Sequence, residues 1–140
     1  MKLITKDTDY AIRALVFMGE KEKNIFNVRN LSEELKISHQ FLRRLLQVLS
    51  KNRILRSVKG KGGGFSLNKK PGEIFLSELV GIFQVKMELK NCMVKDERCP
   101  NFQSCLLSRK LDRIEQIIEK EIGNLSIENL IGKKVDAKNR

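Results

Sequence analysis

The chain has 140 residues and a mass of 16.2 kDa, the size of one ordinary domain with room for an appended element. Its 28 Lys and Arg against 17 Asp and Glu leave a net charge of +11, which points to an anionic partner, and 41% hydrophobic residues exclude wholesale disorder. No run approaches the roughly 18 apolar residues of a membrane span. Charges at Lys2, Lys6, Asp7, Asp9, Arg13 and Glu20 exclude a secretory leader, so a cytoplasmic protein is expected.

The first predicted helix covers Thr8 to Gly19, where Ala11, Ile12, Leu15, Val16 and Met18 recur on a helical period and Thr8 or Asp7 can serve as N-cap. Asn27 then caps a short second helix carrying Val28, Leu31 and Leu35 on one face. Lys36-Ile37 makes a tight connection, and Ser38 caps a third helix with Phe41, Leu42, Leu45, Leu46 and Leu49 inside. Its outer side is His39, Gln40, Arg43, Arg44, Gln47 and Lys51. Two short helices joined by a tight turn, the second basic outside and apolar inside, form a helix-turn-helix.

Two β-prone runs follow, Ile54 to Val58 and Phe65 to Leu67, separated by Lys59-Gly60-Lys61-Gly62-Gly63-Gly64. The glycine run lacks the Gly-Lys-Ser/Thr ending of a P-loop, so it reads as the tip of a hairpin wing, with glycines permitting close approach to DNA. A fourth helix is expected from near Phe75, through Leu76, Leu79, Val80 and Phe83. After an aperiodic loop, Leu106 to Ile122 describes one amphipathic helix of about 17 residues, ~25 Å long. The preceding half has its own apolar set, so this helix is assigned to dimerisation. Ser126 to Ile131 is expected to form one more turn.

Charge is unevenly spread along this order. Up to Lys70 there are 16 basic and 6 acidic residues, and beyond it 12 and 11. No Asp or Glu occurs between Glu34 and Glu73, a stretch holding Lys36, Arg43, Arg44, Lys51, Arg53, Arg56, Lys59, Lys61, Lys69 and Lys70. Natural surfaces intersperse signs because like charges repel, so ten cations without a neighbouring acid read as an electrostatic footprint for nucleic acid.

Cys92, Cys99 and Cys105 are the chain's three cysteines, spaced Cys-x6-Cys-x5-Cys. An odd, clustered number argues against a secreted disulfide framework. Structural zinc wants four ligands and a close cysteine pair, and the single histidine, His39, lies far away on the third helix. A thiol switch is chemically reasonable, with Lys95 and Arg98 beside the thiols. An iron-sulfur cluster, held by thiolates on a loop with one non-cysteine ligand, suits the pattern best.

Several segments match a known family. Thr8-Asp9-Tyr10-Ala11, Ile37-Ser38 with Phe41-Leu42 and Leu45, the stretch Val58-Lys59-Gly60-Lys61-Gly62-Gly63-Gly64-Phe65-Ser66-Leu67, and Ile74 with Leu76 and Glu78 together resemble the Rrf/BadM family of bacterial winged-helix transcription regulators. Its cluster-binding branch, the iron-sulfur assembly, nitric-oxide-sensing and iron-responsive regulators, carries cysteines where Cys92, Cys99 and Cys105 stand, and acts as homodimers on inverted-repeat operators. The resemblance implies those three cysteines as ligands. The assembly regulator's histidine ligand is replaced here by Ser108, whereas Asp9 matches the carboxylate that completes a 4Fe-4S site across the dimer of the nitric-oxide sensor. Asp9 is therefore the expected fourth ligand, and 4Fe-4S is favoured over 2Fe-2S.

The resulting expectation is a mainly α fold with a small β-hairpin wing, a winged helix-turn-helix followed by a long C-terminal dimerisation helix. Residues 1–85 form the DNA-binding domain, 86–105 the cluster loop, 106–131 the dimerisation helix and C-terminal turn, and 132–140 a disordered tail. The activity expected is that of a repressor of palindromic double-stranded DNA operators, controlled by a cluster that senses nitric oxide, redox state or iron supply. Ser38, His39, Gln40, Arg43 and Arg44 would meet base edges and nearby phosphates, and Lys51, Arg56, Lys59 and Lys61 mainly the DNA backbone. Cluster-free thiol sensing is the alternative, and an iron-sulfur electron carrier a weaker one. An enzyme is not expected, for no motif pairs a nucleophile with a base. An RNA platform would need stacking aromatics, and the chain has one Tyr and no Trp.

Overall fold

A computed structural model describes residues 3–21, 24–84, 99–101 and 103–132. In chain order these form α1 (Lys6–Glu20), α2 (Val28–Leu35), α3 (His39–Lys51), the hairpin strands β1 (Leu55–Val58) and β2 (Gly64–Leu67), α4 (Leu76–Phe83) and α5 (Leu106–Gly123). Single 3-10 turns at Pro71–Glu73 and Glu128–Leu130 complete the order. The mainly helical fold with a two-stranded antiparallel wing matches the sequence expectation.

Local chemistry explains most boundaries. Asn27 accepts the Arg29 N–H at 2.8 Å and opens α2, and Ser38 accepts the Phe41 N–H at 3.4 Å and opens α3. Ile37 before that cap and Leu42 four residues after it are both buried, the arrangement of a hydrophobic staple. Between the helices, Lys36 turns the chain in the left-handed conformation (φ 54°), and Ser32 bonds Ile37 through both its carbonyl and its hydroxyl.

The start of α1 departs from the sequence reading, which placed the N-cap at Thr8 or Asp7. The helix begins at Lys6, and Thr5 is the cap, its side chain accepting the Thr8 N–H. Thr8 is fully buried, and its hydroxyl donates to Gln84 Oε1 at 3.0 Å. Gln84 also accepts the Thr5 N–H and donates to the Leu3 carbonyl, each at 3.1 Å. One amide thus ties the end of α4 to the start of α1, because a buried hydroxyl without a partner would be costly.

The core is filled from α1 (Ala11, Ala14, Leu15, Met18), α3 (Leu42, Leu46, Leu49), Ile54, Ile74 and Leu79, all at most 1% exposed. The chain beyond α5 returns to it. Ile127 is fully buried there, donating its N–H to Ile74, while Leu76 donates to Leu125. By contrast α5 buries none of its residues completely and packs against α4. Cys92 and the tail expected at 132–140, except Gly132 itself, lie outside the described residues.

Candidate nucleic-acid interface

The predicted outer face of α3 is fully exposed: His39, Gln40, Arg43, Arg44, Gln47 and Lys51 all face outward. An open groove of about 820 Å³ runs between this helix and the wing, lined by His39, Arg43, Arg44, Gln47 and Lys51 on one side and Ser57, Val58 and Gly63 to Phe65 on the other. No Asp or Glu lines it. Asn27 and Val28, at the start of α2, line it too. Arg56, Lys59 and Lys61 are exposed on the wing but outside the groove, as is Gln40 on α3. Ser38 is exposed, yet its hydroxyl is engaged in capping α3.

The wing glycines divide into two kinds. A Cβ at Gly64 would sit 2.1 Å from the Phe26 carbonyl oxygen, and one at Gly63 2.2 Å from that of Val58, so these two serve the packing of the hairpin itself. The close approach joins Phe26 to Phe65 through reciprocal N–H to carbonyl bonds of 2.8 and 2.9 Å. Gly60 and Gly62 have positive φ and open space around them, leaving them as the glycines of the tip that can meet a large ligand.

The cation run is not wholly without acids. Arg44 Nη2 lies 3.0 Å from Asp7 Oδ2, and Lys69 Nζ 2.6 Å from Glu78 Oε1, so two of the ten cations are answered by carboxylates from other elements. Arg44 also stacks over Phe41, whose ring meets Tyr10 edge-on with centroids 5.5 Å apart. Neither Asp7 nor the groove residue Gln47 was singled out as a site residue from sequence. Gln47 is legible as i+4 from Arg43; the Asp7 pair spans 37 positions and leaves no local signal.

A family model described as "Rrf2: Iron-dependent Transcriptional regulator" matches residues 4–133. The chain belongs to the Rrf2 family. It is a transcriptional regulator of the winged-helix, DNA-binding kind, and not an enzyme. It is 28% identical over 130 residues to the HTH-type transcriptional regulator NsrR of Oceanobacillus iheyensis, covering 91% of this chain and 88% of that protein. It is 28% identical over 132 residues to the regulator IscR of Xenorhabdus nematophila, covering 94% and 79%. The fold is similar to that of CymR, the global cysteine regulator of B. subtilis, with a TM-score of 0.75 at 17% identity over 93% of this chain and 96% of that one. No described helix is long and apolar enough to cross a membrane.

The cysteine region of this Rrf2 protein is described only in part. Cys99 and Cys105 are free thiols, both half-buried. Cys105 is the N-cap of α5, its Sγ accepting the Ser108 N–H at 3.4 Å. Asp9, on the first turn of α1, pairs with Arg13 at 3.0 Å, and its side chain is 46% exposed. Among the described residues no three His, Cys, Asp or Glu side chains come together as a metal site.

Proposed function

We propose that the protein is a homodimeric repressor that reads a palindromic operator and whose DNA binding is controlled by an iron-sulfur cluster. The observation that carries the DNA-binding face is the acid-free groove between α3 and the wing. His39, Gln40, Arg43 and Arg44 stand near the start of α3, where side chains reach base edges in the major groove. Ser38 is exposed beside them, with its hydroxyl capping the helix. Lys51, Arg56, Lys59 and Lys61 supply phosphate contacts.

Pairing through α5 rests on its exposed stripe. Leu106, Leu107, Ile114 and Ile117 are 73%, 68%, 46% and 55% exposed, and at ~100° per residue they share an arc of about 100°. Leu111, Ile118 and Ile122 occupy the adjoining arc and are half-buried. A helix apolar on two adjoining faces, with one facing its own core, has the other free for a second copy. Two α3 helices about 34 Å apart would then enter successive major grooves.

The donor set suits a cluster in its chemistry: free, partly accessible thiols at Cys99 and Cys105, a partly exposed carboxylate at Asp9, and Cys92 outside the described residues. These four would hold the cluster, with Asp9 coming from the partner protomer, and 4Fe-4S is the favoured type because Ser108 leaves no histidine ligand. When bound, the cluster supplies a centre sensitive to nitric oxide, oxidants or iron shortage. Cys105 stands at the head of α5 and Asp9 on the first turn of α1, so a cluster held by both would join the two halves of the chain. Ligation would take Asp9 from Arg13. A cluster-free thiol sensor is the second reading, favoured by Cys105, a free thiol set at a helix N-terminus.

A native mass spectrum of protein purified without oxygen tests this. A dimer carrying one 4Fe-4S mass per chain is expected. A dimer that stays metal-free after anaerobic reconstitution with iron and sulfide would transfer the cysteines to thiol chemistry, and a monomer would remove the pairing through α5.

A further inference from the structure

Among the described residues, Arg44 alone on the outer face of α3 is held by a carboxylate, the Asp7 side chain of α1, with Nη2 to Oδ2 at 3.0 Å. The pair is open to solvent, its side chains 59% and 36% exposed, so it contributes little to folding stability. Its effect is on conformation. One guanidinium edge is taken by Asp7, and one face lies 5.1 Å over the Phe41 ring. Phe41 is itself fixed edge-on against Tyr10, with Lys6 Nζ 5.5 Å from its centroid. The first turn of α1, which carries Asp7, is tied to α4 through Thr5, Thr8 and Gln84. Arg44 also lines the groove.

We propose that Asp7 is a positioning residue for sequence discrimination, its carboxylate holding the Arg44 fork ready for a base edge and withholding it from phosphate. This rests on the DNA-binding face proposed above. A guanidinium reads guanine by two parallel donors, which needs a fixed plane, whereas a phosphate accepts an arginine from many directions. An untethered Arg44 therefore gains on any duplex and loses its preference. Asp7 also sets a negative charge beside the groove, which opposes contact with arbitrary phosphate.

The test uses full-length protein, a duplex that the wild type selects from a randomised library, and a scrambled duplex of the same composition, with affinities measured over a salt range. Asp7→Asn should bind the scrambled duplex more tightly with a salt slope steeper by about one. Its preference for the selected over the scrambled duplex should fall about tenfold. Asp7→Glu should restore most of that preference. Arg44→Lys, which keeps the charge and loses the fork, should lower the preference by itself, and Asp7→Asn added to it should lower it no further. An unchanged preference in Asp7→Asn, or an undiminished effect in the Arg44→Lys background, overturns the positioning role while leaving the DNA-binding face intact. A wild type that selects no sequence overturns both.

Discussion

The first 84 residues and α5 obey different economies of burial. In the former, each of α1 to α4 buries at least one side chain, the described basic residues are exposed or, at Lys69, half-buried, and the hairpin is joined by backbone bonds to Phe26. In α5, 18 residues pass without one fully buried side chain, although Leu106 and Leu107 are among the most exposed apolar residues described. A helix of that length gains little from propensity alone, so its stability has to come from packing. The comparison teaches that α1 to α4 bury their apolar faces in a shared core, whereas α5 leaves an apolar stripe uncovered, which the pairing proposed above would cover. Ile127, which re-enters the core after α5, ties the end of that helix back to the core.

Four substitutions break or sharpen that contrast. Leu46→Ala, at a fully buried site of α3, should lower stability by about 2–5 kcal/mol in urea unfolding, since it leaves a cavity in a close-packed core. Ile117→Glu, in the exposed stripe, should instead leave the secondary structure intact and weaken self-association by about 2 kcal/mol or more, roughly thirtyfold. Sedimentation velocity would read this as monomer, and a persistent dimer would move the interface off α5.

Within the DNA-binding half the contrast is between reading and holding. Arg43→Ala should cost about 1–3 kcal/mol on the selected duplex and relax one base position, with a smaller loss on scrambled DNA. Lys61→Ala, at the wing tip, should have the smallest effect, weakening all sequences alike and flattening the salt slope by about one. Titrations of both variants on both duplexes check the pair. Equal losses on the two duplexes for Arg43→Ala would abolish the division between base and phosphate contacts.

The local elements were legible from sequence because their signals act over three or four residues. The apolar periods of α1 to α5, the caps Asn27 and Ser38, and the glycine-rich tip each stabilise structure within one turn, and each stands close to where it was expected. The α1 cap was misplaced because Thr5 precedes the apolar period, and the burial of Thr8 depends on Gln84, 76 positions away. The outer face of α3 was equally legible, since helical geometry alone separates His39, Arg43, Gln47 and Lys51 from the leucines.

Tertiary structure decided what those residues face. Charge counting left ten cations without a nearby acid, but folding brings Asp7 to Arg44 and Glu78 to Lys69. The glycine run read uniformly as a tip, yet Gly63 and Gly64 are required by the backbones of Val58 and Phe26. The amphipathic period of α5 announced an apolar stripe without saying which part of it the chain's own core would cover. The sequence by itself determined the helices, the wing and the basic outer face of α3, because hydrophobic periodicity and capping are local. The partners of individual charges, the role of each glycine and the bare stripe of α5 were decided only in three dimensions, because they depend on distances between segments that the chain order does not encode locally.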